Sequence, residues 1–136
     1  MKRSLLFAAV FLSTLLVSCG AGGGVSNTIN VTMTDFQFQP NQFTVPAGEE
    51  IAFDSDNNGA VVHNFVIMKL GTSAGDFFDD EDDPNVYWQV ELPPGASTTT
   101  SFTAPSEPGT YEVVCRTEGH IVSGMSAMLT VVPADE

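Results

Sequence analysis

Cys115, His120 and Met125 stand near the end of the chain in the spacing C-x4-H-x4-M, within "EVVCRTEGHIVSGM", Glu112 to Met125. A thiol, an imidazole and a thioether fall there within eleven residues. The rest of the chain is poor in such groups: it has two cysteines and two histidines in 136 residues. The second histidine, His63, lies far upstream in "VVHNFVI", Val61 to Ile67. A thiolate and two imidazoles suit a transition metal, and a soft thioether beside them favours Cu(I). A trigonal Cys–His–His set with a distant Met is the donor set of an electron-transfer copper site. Taken singly, each residue has a plainer reading: a hydrogen-bonded core histidine, a small buried hydrophobe, a methionine filling space. It is their combination that points to a metal.

Such a site needs elements that aim its ligands. Period-two alternation supplies them at Ile29–Met33, Phe43–Val45, Ile51–Phe53, Phe65–Ile67, Tyr111–Val113 and Leu129–Val131. Turn signals separate these runs: Gln39-Pro40-Asn41, Pro46-Ala47-Gly48, Asp56-Asn57-Asn58-Gly59, Pro93-Pro94-Gly95 and Glu107-Pro108-Gly109. Short strands at regular intervals predict an all-β antiparallel Greek-key sandwich. In a strand, residues two apart share a face. His63 therefore shares a face with Phe65 and Ile67, and Cys115 with Tyr111 and Val113. Both ligand types should end strands on the core side. Met128 is out of phase with Leu129 and Val131, so Met125 rather than Met128 is the expected thioether ligand.

One segment breaks the rhythm. Residues 69–91, "KLGTSAGDFFDDEDDPNVYWQVE", hold six acidic residues between Asp76 and Asp83 and the chain's one Trp, Trp88. It reads as an acidic insertion. Long loops in compact domains are often functional, and Asp79, Asp80, Asp82 and Asp83 are candidates to dock a basic partner; a solvated face is the alternative.

The N-terminus bears on the free thiol. Met1-Lys2-Arg3 is basic and Leu5 to Val17 is an apolar run too short for a comfortable transmembrane helix. Leu16-Val17-Ser18-Cys19 resembles the lipobox of bacterial lipoproteins, in which the Cys is lipidated. Residues 1–18 are then a signal peptide and residues 19–27 a lipidated Cys19 with a Gly-rich linker. Residues 28–133 form one domain, anchored on the outer, periplasmic or extracellular, side of a membrane. With Cys19 acylated, Cys115 has no partner within the monomer, and an exported thiol normally oxidises. A bound metal would mask it. The mature chain keeps Lys69 and Arg116 against seventeen carboxylates, a formal charge of −15. That argues against nucleic acid as a partner and favours a basic one.

These residues together carry a family resemblance. "HNFVI" and "GTYEVVCRTEGHIVSGMSAMLTVV", Gly109 to Val132, resemble the two ligand-bearing segments of cupredoxins, the plastocyanin and azurin group, and the C-x4-H-x4-M spacing is most similar to that of auracyanins. The resemblance implies one copper ion held by His63, Cys115, His120 and Met125, with Asn64 steadying the site through hydrogen bonds. It implies a monomeric single-electron carrier, not an enzyme, between redox proteins such as a cytochrome or a membrane electron-transfer complex of a photosynthetic or respiratory chain. Two departures stand out. Arg116 replaces the family's frequent Ser or Thr after the Cys, and the loop before the second His lacks Pro. A copper-trafficking role is the alternative, although that class tends toward Met-rich or multi-Cys sites. A Cys–His nucleophile pair finds no orienting third group in this chain.

Overall fold

The computed structural model describes residues 23–134. The segments assigned to a signal peptide and to Cys19 lie outside the described residues. Among those described, nine strands form two sheets: β1 (Thr28–Thr34), β2 (Gln37–Gln39), β3 (Gln42–Pro46), β4 (Glu50–Asn57), β5 (His63–Met68), β6 (Val86–Leu92), β7 (Ser97–Thr103), β8 (Gly109–Val114) and β9 (Ser126–Val132). One sheet has the order β2-β1-β4-β7 and the other β3-β9-β8-β5-β6.

The all-β sandwich matches expectation, and its pairing is mixed. β1 runs parallel to β4, and β3 parallel to β9. The remaining pairs are antiparallel. The cause lies in the connections. Between β1 and β4 the chain crosses to the opposite sheet to lay down β3, so β4 re-enters beside β1 in the same direction.

Alternation builds the core. β1 buries Ile29, Val31 and Met33 and turns its other residues outward. β4 buries Ile51, Phe53, Ser55 and Asn57 on one face. Phe65 lies at the centre, its ring centroid 5.0 Å from Phe53, 5.4 Å from Phe38 and 5.6 Å from Phe43. Most of these contacts are edge-on or tilted, the geometry aromatic quadrupoles prefer.

β5 departs from simple alternation because all six of its residues are buried. Its inner face joins the main core, and its outer face is covered as well. Val66, Met68, Val114 and Ala74 form a second cluster, flanked by Phe78, Val86 and Ile121. Residues of the acidic segment thus roof the sheet behind the ligand strand. The continuous apolar run from Phe65 to Met68 is the pattern of a strand buried on both faces.

The insertion expected over 69–91 is shorter than that. From Val86 the chain is strand β6, paired with β5 through Phe65↔Val90 and Ile67↔Trp88. Trp88 is partly buried and packs against the core, stacked on Phe102 at 4.6 Å and edge-on to Phe53 at 5.1 Å. A 3-10 turn, Asp83–Asn85, leads into the strand. The remaining loop is tied down: Glu112 accepts hydrogen bonds from the Ala74 N–H at 2.9 Å and from the Ser73 hydroxyl at 3.2 Å.

Neighbouring Phe77 and Phe78 separate roof from surface. Phe78 packs on the second cluster, whereas Phe77 is exposed. Phe78→Ala should cost about 1–3 kcal/mol, and Phe77→Ala should fall within about 0.5 kcal/mol of the parent. Urea unfolding of both variants tests this, and equal effects would mean that the segment does not roof the sheet.

Candidate metal centre

His63 is the first residue of β5, and Cys115 follows the last residue of β8. Both sit at the same end of the sandwich because β5 and β8 are antiparallel neighbours, joined through Val66↔Val114 and Ile67↔Val113. The 115–125 turn then folds back on itself to reach β9. The Cys115 N–H donates to the Met125 carbonyl at 3.3 Å, and the Met125 N–H to the His120 carbonyl at 2.9 Å. The His120 N–H donates to the Thr117 carbonyl at 3.0 Å. Gly124 has φ +100°, a conformation that favours glycine and lets the turn deliver Met125. Cys115, Met125, His63 and His120 are all buried. Met128 is 46% exposed on the outer face of β9, as its phase predicts.

The ligand atoms of His63, Cys115 and His120 lie within 4.8 Å of one another. Both imidazoles turn Nδ1 toward the thiol: His63 Nδ1 is 3.8 Å from Cys115 Sγ, and His120 Nδ1 is 3.5 Å away. The two ring centroids are 4.9 Å apart. Burial holds His120 below the usual histidine range, the nearby His63 pushes the same way, and Asp35 opposes them. A neutral imidazole is the form that binds metal. Two nitrogens and a sulfur converge at a buried point, with a thioether residue at the base of the same loop. This soft, mixed donor set fits copper. His63, Cys115, His120 and Met125 form a type 1 copper-like site, and a bound copper ion would supply a reversible Cu(I)/Cu(II) couple there.

The surroundings hold these groups firmly. The Asn64 N–H donates to Cys115 Sγ at 3.4 Å and ties the sulfur to the start of β5. The Asn64 side chain is pinned at both ends. Its amide donates to Glu91 at 2.8 Å, and its carbonyl accepts from the Thr117 hydroxyl at 3.2 Å. The hydroxyl's one proton is shared with the closer Val62 carbonyl at 2.8 Å. Thr117 therefore makes the Asn64 contact for which Arg116 has no hydroxyl. Arg116 turns away, to Gln89 and Asp83 at 3.0 Å each and over the Phe78 ring at 4.3 Å.

Three contributors carry no strong sequence signal. Asn57, fully buried, donates to the carbonyls of Val61 at 2.9 Å and Leu92 at 2.8 Å and accepts from the Gly59 N–H at 2.9 Å, fixing the approach to His63. Asp35, twenty-eight residues before His63, places Oδ1 3.2 Å from His63 Nε2. Gly59 is obligatory because a Cβ there would overlap both His63 Nε2 and the Asp35 carboxylate. Asn57 and Gly59 were legible only as parts of a turn.

The remaining candidates lie elsewhere. Asp79, Asp80, Asp82 and Asp83 are in the roof segment and are not part of the ligand cluster. Asp82 accepts from the Asp79 N–H at 3.0 Å, Asp79 from the Glu81 N–H at 2.8 Å, and Asp83 pairs with Arg116.

Comparison with known proteins agrees with this geometry. A family model described as "Cupredoxin-like domain" matches residues 5–131. The chain belongs to the cupredoxin family. It is 30% identical to auracyanin-B of Chloroflexus aurantiacus over 142 residues, 85% of this chain and 60% of that protein. The chain thus spans somewhat less than two thirds of that relative's length. It is 36% identical to plastocyanin A/B of Petroselinum crispum over 94 residues, 69% of this chain and 86% of that one. Among solved structures, dithionite-reduced auracyanin from Roseiflexus castenholzii superposes with a TM-score of 0.68 at 32% identity, covering 81% of this cupredoxin and all of that chain. Auracyanin A of Chloroflexus aurantiacus gives a TM-score of 0.62 at 27% identity over 80% of this chain and all of that one.

The depressed basicity of His120 has a signed consequence for the metal-free protein. Between the folded value and the ordinary 6.5, the unfolded chain binds a proton that the folded chain does not. The increment of stability linked to His120 therefore falls as pH drops through 6.5 and is fully lost below the folded value. Urea midpoints of metal-free parent and His120→Gln, measured from about pH 8 to about pH 5, should diverge, the parent falling more steeply. Parallel curves would overturn this assignment.

Proposed function

We propose that this cupredoxin is a membrane-anchored blue copper protein that carries single electrons between redox proteins of a photosynthetic or respiratory chain. The observation that carries the reading is the buried convergence of His63, Cys115 and His120, in a family whose relatives here include auracyanins. The chain's own residues do three things. His63 and His120 present ring nitrogens toward the Cys115 sulfur, Asn64, braced by Thr117, holds that sulfur in place, and the core covers the site. Donors fixed in this way need little rearrangement when the charge at their centre changes.

His120 is 6% exposed and marks the point where the site comes nearest to solvent. Exposed Phe36 contacts its ring, and exposed Val122 stands two residues on. A transient partner would dock over this apolar end, since electron-transfer encounters use small interfaces. Such a partner, a cytochrome or membrane complex, would be basic, steered by the acidic roof segment toward a monomeric carrier. The basic, apolar and Leu-Val-Ser-Cys19 sequence at the N-terminus supports export and lipid anchoring at the outer side of the membrane, where acylation supplies stable attachment.

The deciding experiment is an absorption spectrum of the copper-loaded, oxidised protein. An intense visible charge-transfer band, bleached by ascorbate and absent from Cys115→Ser, is expected. Met125→Leu should keep the band and raise the reduction potential, because a donor that favours Cu(II) is lost, and Met128→Leu should change neither. A Cys115→Ser protein that stayed coloured would sink the proposal, and readily exchanging copper would favour trafficking instead.

Steering predicts a salt effect. Electron transfer to a basic cytochrome should slow as ionic strength rises, since charges are screened over about 8 Å at physiological salt. Asp80→Asn with Glu81→Gln should flatten that slope without touching the Arg116 contact. Stopped-flow rates against salt decide between steering and a merely solvated face, which would leave the slope unchanged.

A further inference from the structure

We propose that the turn formed by Asp35 and Phe36 positions both imidazoles of the site, Asp35 fixing the tautomer and ring plane of His63 and Phe36 closing the outer edge of His120. The turn joins β1 to β2, whose last ladder pair is Thr34↔Gln37. Only two residues connect the strands, and each reaches a different histidine. The inference rests on the copper reading of the site for its electronic consequence and on the structure alone for its geometry.

Asp35 Oδ1 accepts from the Ala60 N–H at 3.0 Å and lies 3.2 Å from His63 Nε2. A carboxylate only accepts hydrogen bonds. The proton of a neutral His63 therefore sits on Nε2, and the lone pair sits on Nδ1, the nitrogen that faces Cys115 Sγ. An acceptor behind a ligating imidazole fixes its tautomer and ring orientation. The Ala60 bond aims the carboxylate, and the bare Gly59 leaves it room. A negative charge one ring away from the metal position also favours the more positive oxidation state.

Phe36 points to function by what it forgoes. Its φ is +67°, the one positive value at a non-glycine position among the described residues. Two-residue hairpin turns favour Gly or Asn at such positions, and a bulky residue there is an outlier. Nor is the ring kept for burial, since Phe36 is 46% exposed. What it gains is a contact with His120, edge-on at 5.2 Å between centroids and 68° between planes. Strain held at a site edge is a mark of a functional constraint.

Three variants test the turn: Asp35→Asn, Asp35→Ala and Phe36→Gly. Nitrogen NMR of the metal-free proteins should find His63 protonated on Nε2 in the parent and in Asp35→Asn, whose amide oxygen still accepts. Asp35→Ala should show a mixed tautomer. In copper-loaded protein, Asp35→Asn should keep the visible band while shifting the redox equilibrium about tenfold toward the reduced form, about 59 mV for one electron. Phe36→Gly should fold at least as stably as the parent, yet exchange the outer ring N–H of His120 roughly tenfold faster, since burial of that edge is lost. A parent His63 protonated on Nδ1, or an Asp35→Ala protein with parental tautomer and potential, overturns the role of Asp35. Unchanged exchange in Phe36→Gly overturns that of Phe36. If no copper bound at all, the electron-carrier reading would fail, while the NMR results would still decide the turn.

Discussion

Three donor atoms crowded within 4.8 Å in a buried site are costly to maintain. Buried polar groups normally find hydrogen-bond partners, and here two Nδ1 atoms and a sulfur face mainly one another. The arrangement persists because each ligand is attached to backbone secured for other reasons. His63 opens a strand buried on both faces, and Cys115 and Met125 flank the last ladder pair of a hairpin, Val114↔Ser126. The fold has to be rigid at this end, or the ligands would separate and admit water. A metal ion held by His63, Cys115 and His120 would relieve this crowding by accepting their lone pairs.

That requirement explains the covering of the second sheet. An outer face open to water would let β5 flex beside the site. Residues 74, 78 and 86 close it instead, and the closure is fastened by cations. Lys69 and Arg116 are the Lys and Arg of the described residues, and both are spent on this segment: Lys69 Nζ donates to the Pro84 carbonyl, and Arg116 reaches Asp83, Gln89 and the face of Phe78. The segment's negative charge is thus partly balanced from within. Because Arg116 follows Cys115 directly, the roof and the ligand loop are mechanically linked. Arg116 has exchanged the hydroxyl common at that position for this link, and Thr117, one residue on, supplies the hydroxyl.

Much of this was legible in the sequence because it follows from period. Parity alone places His63 and Cys115 on the core side and Met128 on the surface. Where the period is masked, reading fails. β7 buries only Phe102 fully among its Ser and Thr residues, and β2 has three residues, so neither gives a recurring apolar signal. β6 does alternate, through Val86, Trp88 and Val90, but six acidic residues just before it make the whole stretch look like loop. Asp35 and Asn57 are invisible for a different reason. Their significance lies in partners 28 and 35 residues away, and a single polar residue in a turn has no pattern to betray it.

The same separation bears on how the site keeps its shape. Within the 115–125 loop, the hydrogen bonds from Cys115 to Met125, from Met125 to His120 and from His120 to Thr117 are all backbone to backbone. None uses a ligand atom. Apart from the contacts of Asn64 with Cys115 Sγ, the bonds of Asn64 and Asn57 likewise run to carbonyls, a hydroxyl, a carboxylate and an amide that a metal would not displace. The positions of the donors are therefore set mostly by bonds that do not involve the ligand atoms. A site whose ligands were held mainly by the metal would relax on each change of oxidation state, and that relaxation would enter the barrier to every transfer. Here the protein has already met the ordering cost on folding, which is why a rigid, dry sandwich end suits an electron better than a flexible pocket would.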